Sequence, residues 1–456
     1  MYVCVKISRE RNGFMKRFAV KILTFLYIFS VILAAFRVSP QAAEKKTVDA
    51  VISSIPDSWP EGPEISARAA VLLDADSGEI LYAKNATASM YPASTTKLIT
   101  ALITLENCSL TDIVTFSSKA VAIPSGSSHI GMRRGEQMEL KECLYGLLLP
   151  SANEVANALA EHVSGTIGEF VVKMNERAYQ LGAVNTSFVN ANGLHEEEHY
   201  TCAYDLARIM MACADNSTFV SISSQQSYVH HADDLLPKDI PMTNTHLMLR
   251  SGSDYYNEYA VCGKTGHTEE SGYNLVTYAE KDNIRLVAVV MGCENGEQYL
   301  STQSLLDYGF NYFTRVLPAE LDTSLNMESS FTSSPLGLPT EDGALLSVDS
   351  SDSILLPVKA TFSDLEKSVE ETEDGLLLTY TYDGYPLGTV TLSYVSEEDE
   401  NPLFKDKDTG LLSEPVENVS MLDGWMLLAI GGMFLVLVLF IIFLIHWIVP
   451  KKKLGH

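Results

Sequence analysis

The chain has 456 residues, 46% of them hydrophobic, and a formal charge of −26 at pH 7. That length allows two or three domains with a full apolar core. The acidic balance argues against nucleic acid as a partner, because a phosphate backbone needs a basic footprint.

Residues 1–43 read as a secretory signal. Lys6, Arg9, Arg11, Lys16 and Arg17 come first, an apolar run over 22–36 follows, and small residues end at Ala43. Basic, apolar and small is the order of an export leader. Gln41 sits where a small residue is usual, so an uncleaved anchor is the alternative. Residues 44–64 are polar and Pro/Ser-containing, and read as a linker.

From residue 65 the pattern tightens. "AAVLLDADSGEILYAKN" predicts strand, turn at Asp76-Ser77-Gly78, strand. "STTKLITALITLE" has helical spacing at Leu98, Ile99, Leu102, Ile103 and Leu105. "ANEVANALAEHV", "GEFVVKMNERAYQLG" (ended by Gly182) and "AYDLARIMMACA" predict three more helices. "AVCGKTG" reads as a strand. "YNLVTYAEKDNIRLVAVVMG" reads as two strands around Lys281-Asp282-Asn283, and "STQSLLDYGFNYF" as a closing helix. Residues 65–315 therefore predict an α/β (α+β) domain, an antiparallel sheet packed by helices.

Residues 316–350 turn Ser/Thr/Pro-rich and read as a second linker. Short alternating runs over 351–396 predict a small all-β domain, and the acidic stretch 397–424 a solvated spacer. Residues 425–449, "WMLLAIGGMFLVLVLFIIFLIHWIV", are long and apolar enough for a transmembrane helix. Lys451, Lys452 and Lys453 follow, which places the tail 450–456 in the cytoplasm and the rest outside. Seven cysteines are present. Cys4 lies in the signal, and the other six match neither a zinc spacing nor a dense disulfide framework.

Three short stretches carry the chemistry. In "YPASTTKLIT", Ser94 and Lys97 share one helix face, so the amine can approach the hydroxyl. A lysine acts as a base only when burial or a second cation lowers its pKa. Alone, a Ser-x-x-Lys match arises roughly once or twice by chance in such a chain. Ser151 and Asn153 stand before a helix in "PSANEVANALAEH". Ser151 with Glu154 also fits a capping box. "CGKTGHT" ends a strand with Lys264, Thr265 and Gly266. The first two can hold a carboxylate, and the glycine lets a substrate backbone lie close.

The three in this order form a specific constellation. The sequence resembles the low-molecular-mass penicillin-binding proteins, specifically the D-alanyl-D-alanine carboxypeptidases, over about residues 66–315. "LLDADSGEILYAKNA", "LLLPSANEVANALAEH", "FVNANGLHEEEHYTCAYDLARI" and "KTGHTEESGYNLV" carry the likeness with the three motifs. The resemblance implies a β-lactamase/transpeptidase-like fold followed by a β-rich stalk and a membrane attachment. It implies Ser94 as nucleophile, Lys97 as general base and Ser151 as proton relay. Asn153 would bind a substrate amide, Lys264 would supply positive field and Thr265 would contact the substrate carboxylate. Backbone N–H groups of Ser94 and His267 would form the oxyanion hole. The implied partners are peptidoglycan stem peptides and β-lactams, with no metal or organic cofactor. One departure is that an arginine common in the family before the last helix is missing, with Gln298 about where it would stand.

"HEEEH", residues 195–199, matches a zinc-protease pattern in letters. Gly193 precedes it and no apolar face runs through it, so it reads as a surface loop. The rivals are a class A β-lactamase, which needs a Glu-x-x-Leu-Asn run absent between Ser151 and Lys264, a transpeptidase or DD-endopeptidase, and a wall-binding sensor with a dead site.

Overall fold

The computed structural model describes residues 48–322, 345–348, 352–372 and 375–395. The chain divides into two compact units, 1–396 and 397–456, and every described residue belongs to the first. The signal at 1–43, the acidic spacer at 397–424, the apolar span at 425–449 and the tail at 450–456 lie outside the described residues. Among the described residues, no helix is long and apolar enough to cross a membrane.

The elements follow in chain order. Strands β1 (Ala69–Asp74) and β2 (Ile80–Lys84) form a hairpin, and α1 (Lys97–Asn107) leaves the sheet. Short strands β3 (Ile113–Thr115) and β4 (Gln137–Glu139) lead to α2 (Leu140–Leu148), α3 (Asn153–Ser164), α4 (Ile167–Gln180), α5 (Ala203–Ala214) and α6 (Ser217–Ser223). A second small hairpin, β5 (Ser227–His230) with β6 (Ile240–Thr243), precedes β7 (Ala260–Thr268), β8 (Gly272–Lys281), β9 (Ile284–Cys293) and α7 (Glu297–Tyr312). β10 (Phe313–Val316) and α8 (Pro318–Leu321) close this part. The C-terminal strands are β11 (Leu345–Val348), β12 (Ile354–Pro357), β13 (Leu365–Thr372), β14 (Gly375–Tyr382) and β15 (Tyr385–Val395).

The main sheet has the order β2-β1-β9-β8-β7, all antiparallel. Alternation along its central strands sends side chains to opposite faces. Val71, Leu73, Val287 and Val289 join the core under α1–α6, while Ala70, Leu72, Leu286 and Ala288 join the core under α7 and the C-terminal strands. Burial on both faces explains the near-continuous apolar runs of β1 and β9. β7 is the edge strand, which leaves one side facing the helical lobe.

The described parts of two segments read as linkers, 48–64 and 316–322 with 345–348, belong to the packed body. Residues 48–53 are helical. Trp59 is buried, its indole N–H donates to Leu81 O at 3.0 Å, and Pro60 O accepts from Tyr308 Oη at 2.8 Å. The polar composition of 44–64 hid one large aromatic anchor. Within 316–350, Leu345–Val348 pairs with β15 in the sheet β11-β15-β14-β13. β10 pairs with β12, and Arg315, its side chain 8% exposed, meets Asp74 at 2.5 Å. A four-residue strand gives too short an alternation to read from sequence. The hairpins β3–β4 and β5–β6 and the helices α2 and α6 are further elements beyond the sequence reading.

Candidate active site

Ser94 sits in a 3-10 turn, Ala93–Thr96, that runs directly into α1 at Lys97. Pro92 precedes the turn with its φ already near helical. Ala93 has φ 50°, a left-handed conformation uncommon for a residue with a Cβ. Neighbours hold it there. Thr96 Oγ1 donates to Ala93 O at 2.8 Å, and His199 Nε2 lies 2.8 Å from Thr96 Oγ1. His199 Nδ1 accepts the Val189 N–H at 3.0 Å, so the ring proton is on Nε2 and points at Thr96. Burial, then His195 and Lys97, pushes the His199 pKa down to about 4, which keeps the ring neutral. On the opposite side Asn274 Nδ2 donates to Tyr91 O at 2.9 Å and to Pro92 O at 3.1 Å.

Lys97 is fully buried. Its Nζ lies 2.9 Å from Ser94 Oγ, 2.7 Å from Asn153 Oδ1 and 2.6 Å from Asn192 O. Burial first, and Lys264 second, hold its pKa well below the usual lysine range, while Glu154 opposes them. A neutral amine has two N–H bonds and one lone pair. The amide and carbonyl oxygens can only accept, so they take both N–H bonds. The lone pair is then left for the Ser94 hydroxyl, the geometry a general base requires.

Ser151 is buried, has φ 67°, and its Oγ has no hydrogen-bond partner. The capping box is not formed. Ala152 is the N-cap of α3 without a side-chain bond. Glu154 instead accepts the N–H groups of Ile130, Gly131 and Met132 at 2.8, 3.0 and 3.4 Å. The Asn153 N–H donates to Ser128 O at 2.9 Å. These bonds pin the 128–132 segment against the start of α3.

The third motif lies on the edge strand β7. Lys264 is buried, its Nζ donates to Thr265 O at 3.1 Å, and burial pushes its pKa down to about 7. A Cβ on Gly266 would stand 2.7 Å from Pro92 O and 3.1 Å from Thr95 N. Only a glycine lets β7 lie this close to the Ser94 turn. His267 follows, its ring stacked on Tyr273 at 4.0 Å. Beneath the strand His246 is buried and neutral, pushed to about 3 by burial and Lys264, with Nε2 2.9 Å from Thr277 Oγ1.

Four residues beyond the sequence reading complete the arrangement: Asn192, His199, Thr245 and Asn274. Asn192 acts through a backbone carbonyl, which no side-chain motif reveals. Thr245 Oγ1 lies 2.7 Å from Thr265 Oγ1, and its N–H donates to Leu149 O at 3.1 Å, so it links the second and third motifs. Gln298 is buried on α7 with its Oε1 unpartnered. The "HEEEH" stretch is a loop, but not wholly on the surface, because His199 is 1% exposed beneath the Ser94 turn. His195 packs edge-on against Tyr91 with ring centroids 4.5 Å apart. The six described cysteines are all free.

A family model for D-alanyl-D-alanine carboxypeptidase matches residues 57–295, more than half of the chain. The chain belongs to the D-alanyl-D-alanine carboxypeptidase family. It is 35% identical over 254 residues to D-alanyl-D-alanine carboxypeptidase DacF of Bacillus subtilis, covering 54% of this chain and 63% of that protein. It is 28% identical over 362 residues to DacA of Escherichia coli, covering 77% of this chain and 83% of that protein. Among solved structures, penicillin binding protein 5 of Haemophilus influenzae superposes with a TM-score of 0.60 at 27% identity, over 73% of this chain and 98% of that one. The mixed fold of antiparallel sheet and helices is thus that of D-alanyl-D-alanine carboxypeptidases and penicillin-binding proteins, and the family makes this a serine hydrolase.

Proposed function

We propose that the protein removes the terminal D-alanine from peptidoglycan pentapeptides through an acyl-enzyme on Ser94. The observation that carries this is the buried Lys97 amine, 2.9 Å from Ser94 Oγ and held by two acceptors that leave its lone pair to the serine. Ser94 Oγ attacks the penultimate D-alanine carbonyl while Lys97 takes its proton. The unpartnered Ser151 hydroxyl relays a proton to the leaving D-alanine amine. Backbone N–H groups of Ser94 and His267 receive the developing oxyanion, the kind of preorganised stabilisation that dominates acyl transfer. Thr265 meets the substrate carboxylate in the field of Lys264, and Asn153 adds an amide contact. Water then hydrolyses the ester. β-Lactams acylate the same serine.

In this reading residues 1–43 direct export and residues 425–449 form a single membrane-spanning helix. The catalytic body is extracytoplasmic, tethered through the acidic spacer. External protease acting on intact cells should then remove the body and leave a short membrane-bound fragment. Protection of the body would overturn the topology.

The deciding assay incubates the purified full-length protein with a pentapeptide ending in D-Ala-D-Ala and measures free D-alanine. Wild type releases it, and Ser94→Ala releases none and takes no fluorescent penicillin label. Labelling without release would favour the sensor reading. Rapid penicillin turnover would favour the β-lactamase, and cleaved cross-linked muropeptides the endopeptidase.

A further inference from the structure

We propose that Cys108, Asp112 and His162 form a site for a zinc-class divalent cation that staples the far ends of α1 and α3. Cys108 is the residue directly after α1, Asp112 lies in the following turn, and His162 is in the last turn of α3. One ligand atom from each lies within 4.8 Å of the other two. Tetrahedral zinc, with bonds of about 2.0–2.3 Å, separates its ligand atoms by roughly 3.3–3.6 Å. His162 Nε2 and Asp112 Oδ2 already stand 3.5 Å apart. The thiol needs to close by only about 1 Å, within reach of a side-chain rotation.

The donor set decides the class of metal. Thiolate with imidazole and carboxylate suits zinc and its borderline-soft neighbours, whereas calcium and magnesium take oxygens throughout. The carboxylate is oriented in advance. Asp112 Oδ2 accepts the Ser109 N–H at 3.1 Å, and the Asp112 N–H donates to Ser109 O at 3.1 Å. Such outer bonds commonly fix ligand geometry. On binding, the thiol proton passes to solvent and water fills the fourth position.

The placement gives the site a purpose. α1 starts at Lys97 and α3 at Asn153. At about 1.5 Å of rise per residue, the cation would lie on the order of 15 Å from the Lys97–Asn153 bond, at the other end of the same two helices. It would lock their spacing without entering the chemistry.

The test uses the full-length protein, stripped with a chelator and titrated with Zn²⁺ and with Co²⁺. One equivalent of Co²⁺ should give a thiolate-to-cobalt charge-transfer band, and Zn²⁺ should displace it and raise the melting temperature. Cys108→Ser and His162→Ala should lose the band and weaken Zn²⁺ binding by roughly 10-fold or more. Circular dichroism identifies the folded variants, and Asp112→Asn replaces either one that fails to fold. A Co²⁺ spectrum without a thiolate band, or Zn²⁺ binding by folded Cys108→Ser as tight as wild type, overturns the proposal.

Discussion

Lys97 Nζ and Asn153 Oδ1 are joined at 2.7 Å although 56 positions separate them in the chain. The bond fixes the amine between the Ser94 turn and the start of α3. Asn153→Ala removes the acceptor and frees the amine to rotate away from Ser94. Acylation by penicillin should slow by roughly 100-fold, the usual cost of a displacement near 1 Å in a reacting group. Stopped-flow acylation measures this, and an unchanged rate would show that the bond does not position the base.

The pH profile of acylation should move with charge near Lys97. The reaction needs the neutral amine, so the rate rises with pH through the Lys97 pKa. Lys264 lowers that pKa and Glu154 raises it. Lys264→Gln should therefore shift the rising limb to higher pH, and Glu154→Gln should shift it to lower pH. If neither variant moved the limb, its proton would belong to another group.

His199 should make the fold acid-sensitive. Its pKa is pushed down to about 4 in the folded protein, from a usual value near 6.5. Between those values the unfolded chain binds a proton that the folded chain refuses. Stability is full above about 6.5 and is lost as pH falls toward about 4, by up to roughly 3 kcal/mol. Denaturant melts from neutral pH down to about 4 should show a shallower loss in His199→Gln than in wild type. An equal loss would place the sensitivity elsewhere, His246 at about 3 being the next group to test.

Gly193→Ala should damage both fold and activity. Gly193 has φ 86°, and an added Cβ would collide with the Ala93 carbonyl and stand 3.0 Å from Ser94 N. Strain of this kind costs roughly 1–3 kcal/mol. The variant should melt at lower temperature and lose penicillin labelling out of proportion to its unfolded fraction. Normal labelling of the folded variant would mean that the nucleophile turn tolerates displacement.

The sequence by itself determined the candidate groups and their local spacing. Ser94 and Lys97 are three residues apart, a spacing that brings hydroxyl and amine to one side of the 3-10 turn and the α1 start that follows it. The alternating strands around β8 and β9 and the helices α1, α3, α4 and α5 were legible because periodicity is local. Tertiary structure decided what lowers the pKa of the Lys97 amine and holds it in place: its burial, the approach of Lys264, and the oxygens of Asn153 and Asn192. The two oxygens come from segments 56 and 95 residues away, and Lys264 from still farther along the chain. Backbone groups such as Asn192 O carry no residue signature, and a buried anchor such as Trp59 looks like any other aromatic in a polar stretch. Desolvation and through-space charge are properties of the packed body, so no stretch of residues read alone could contain them.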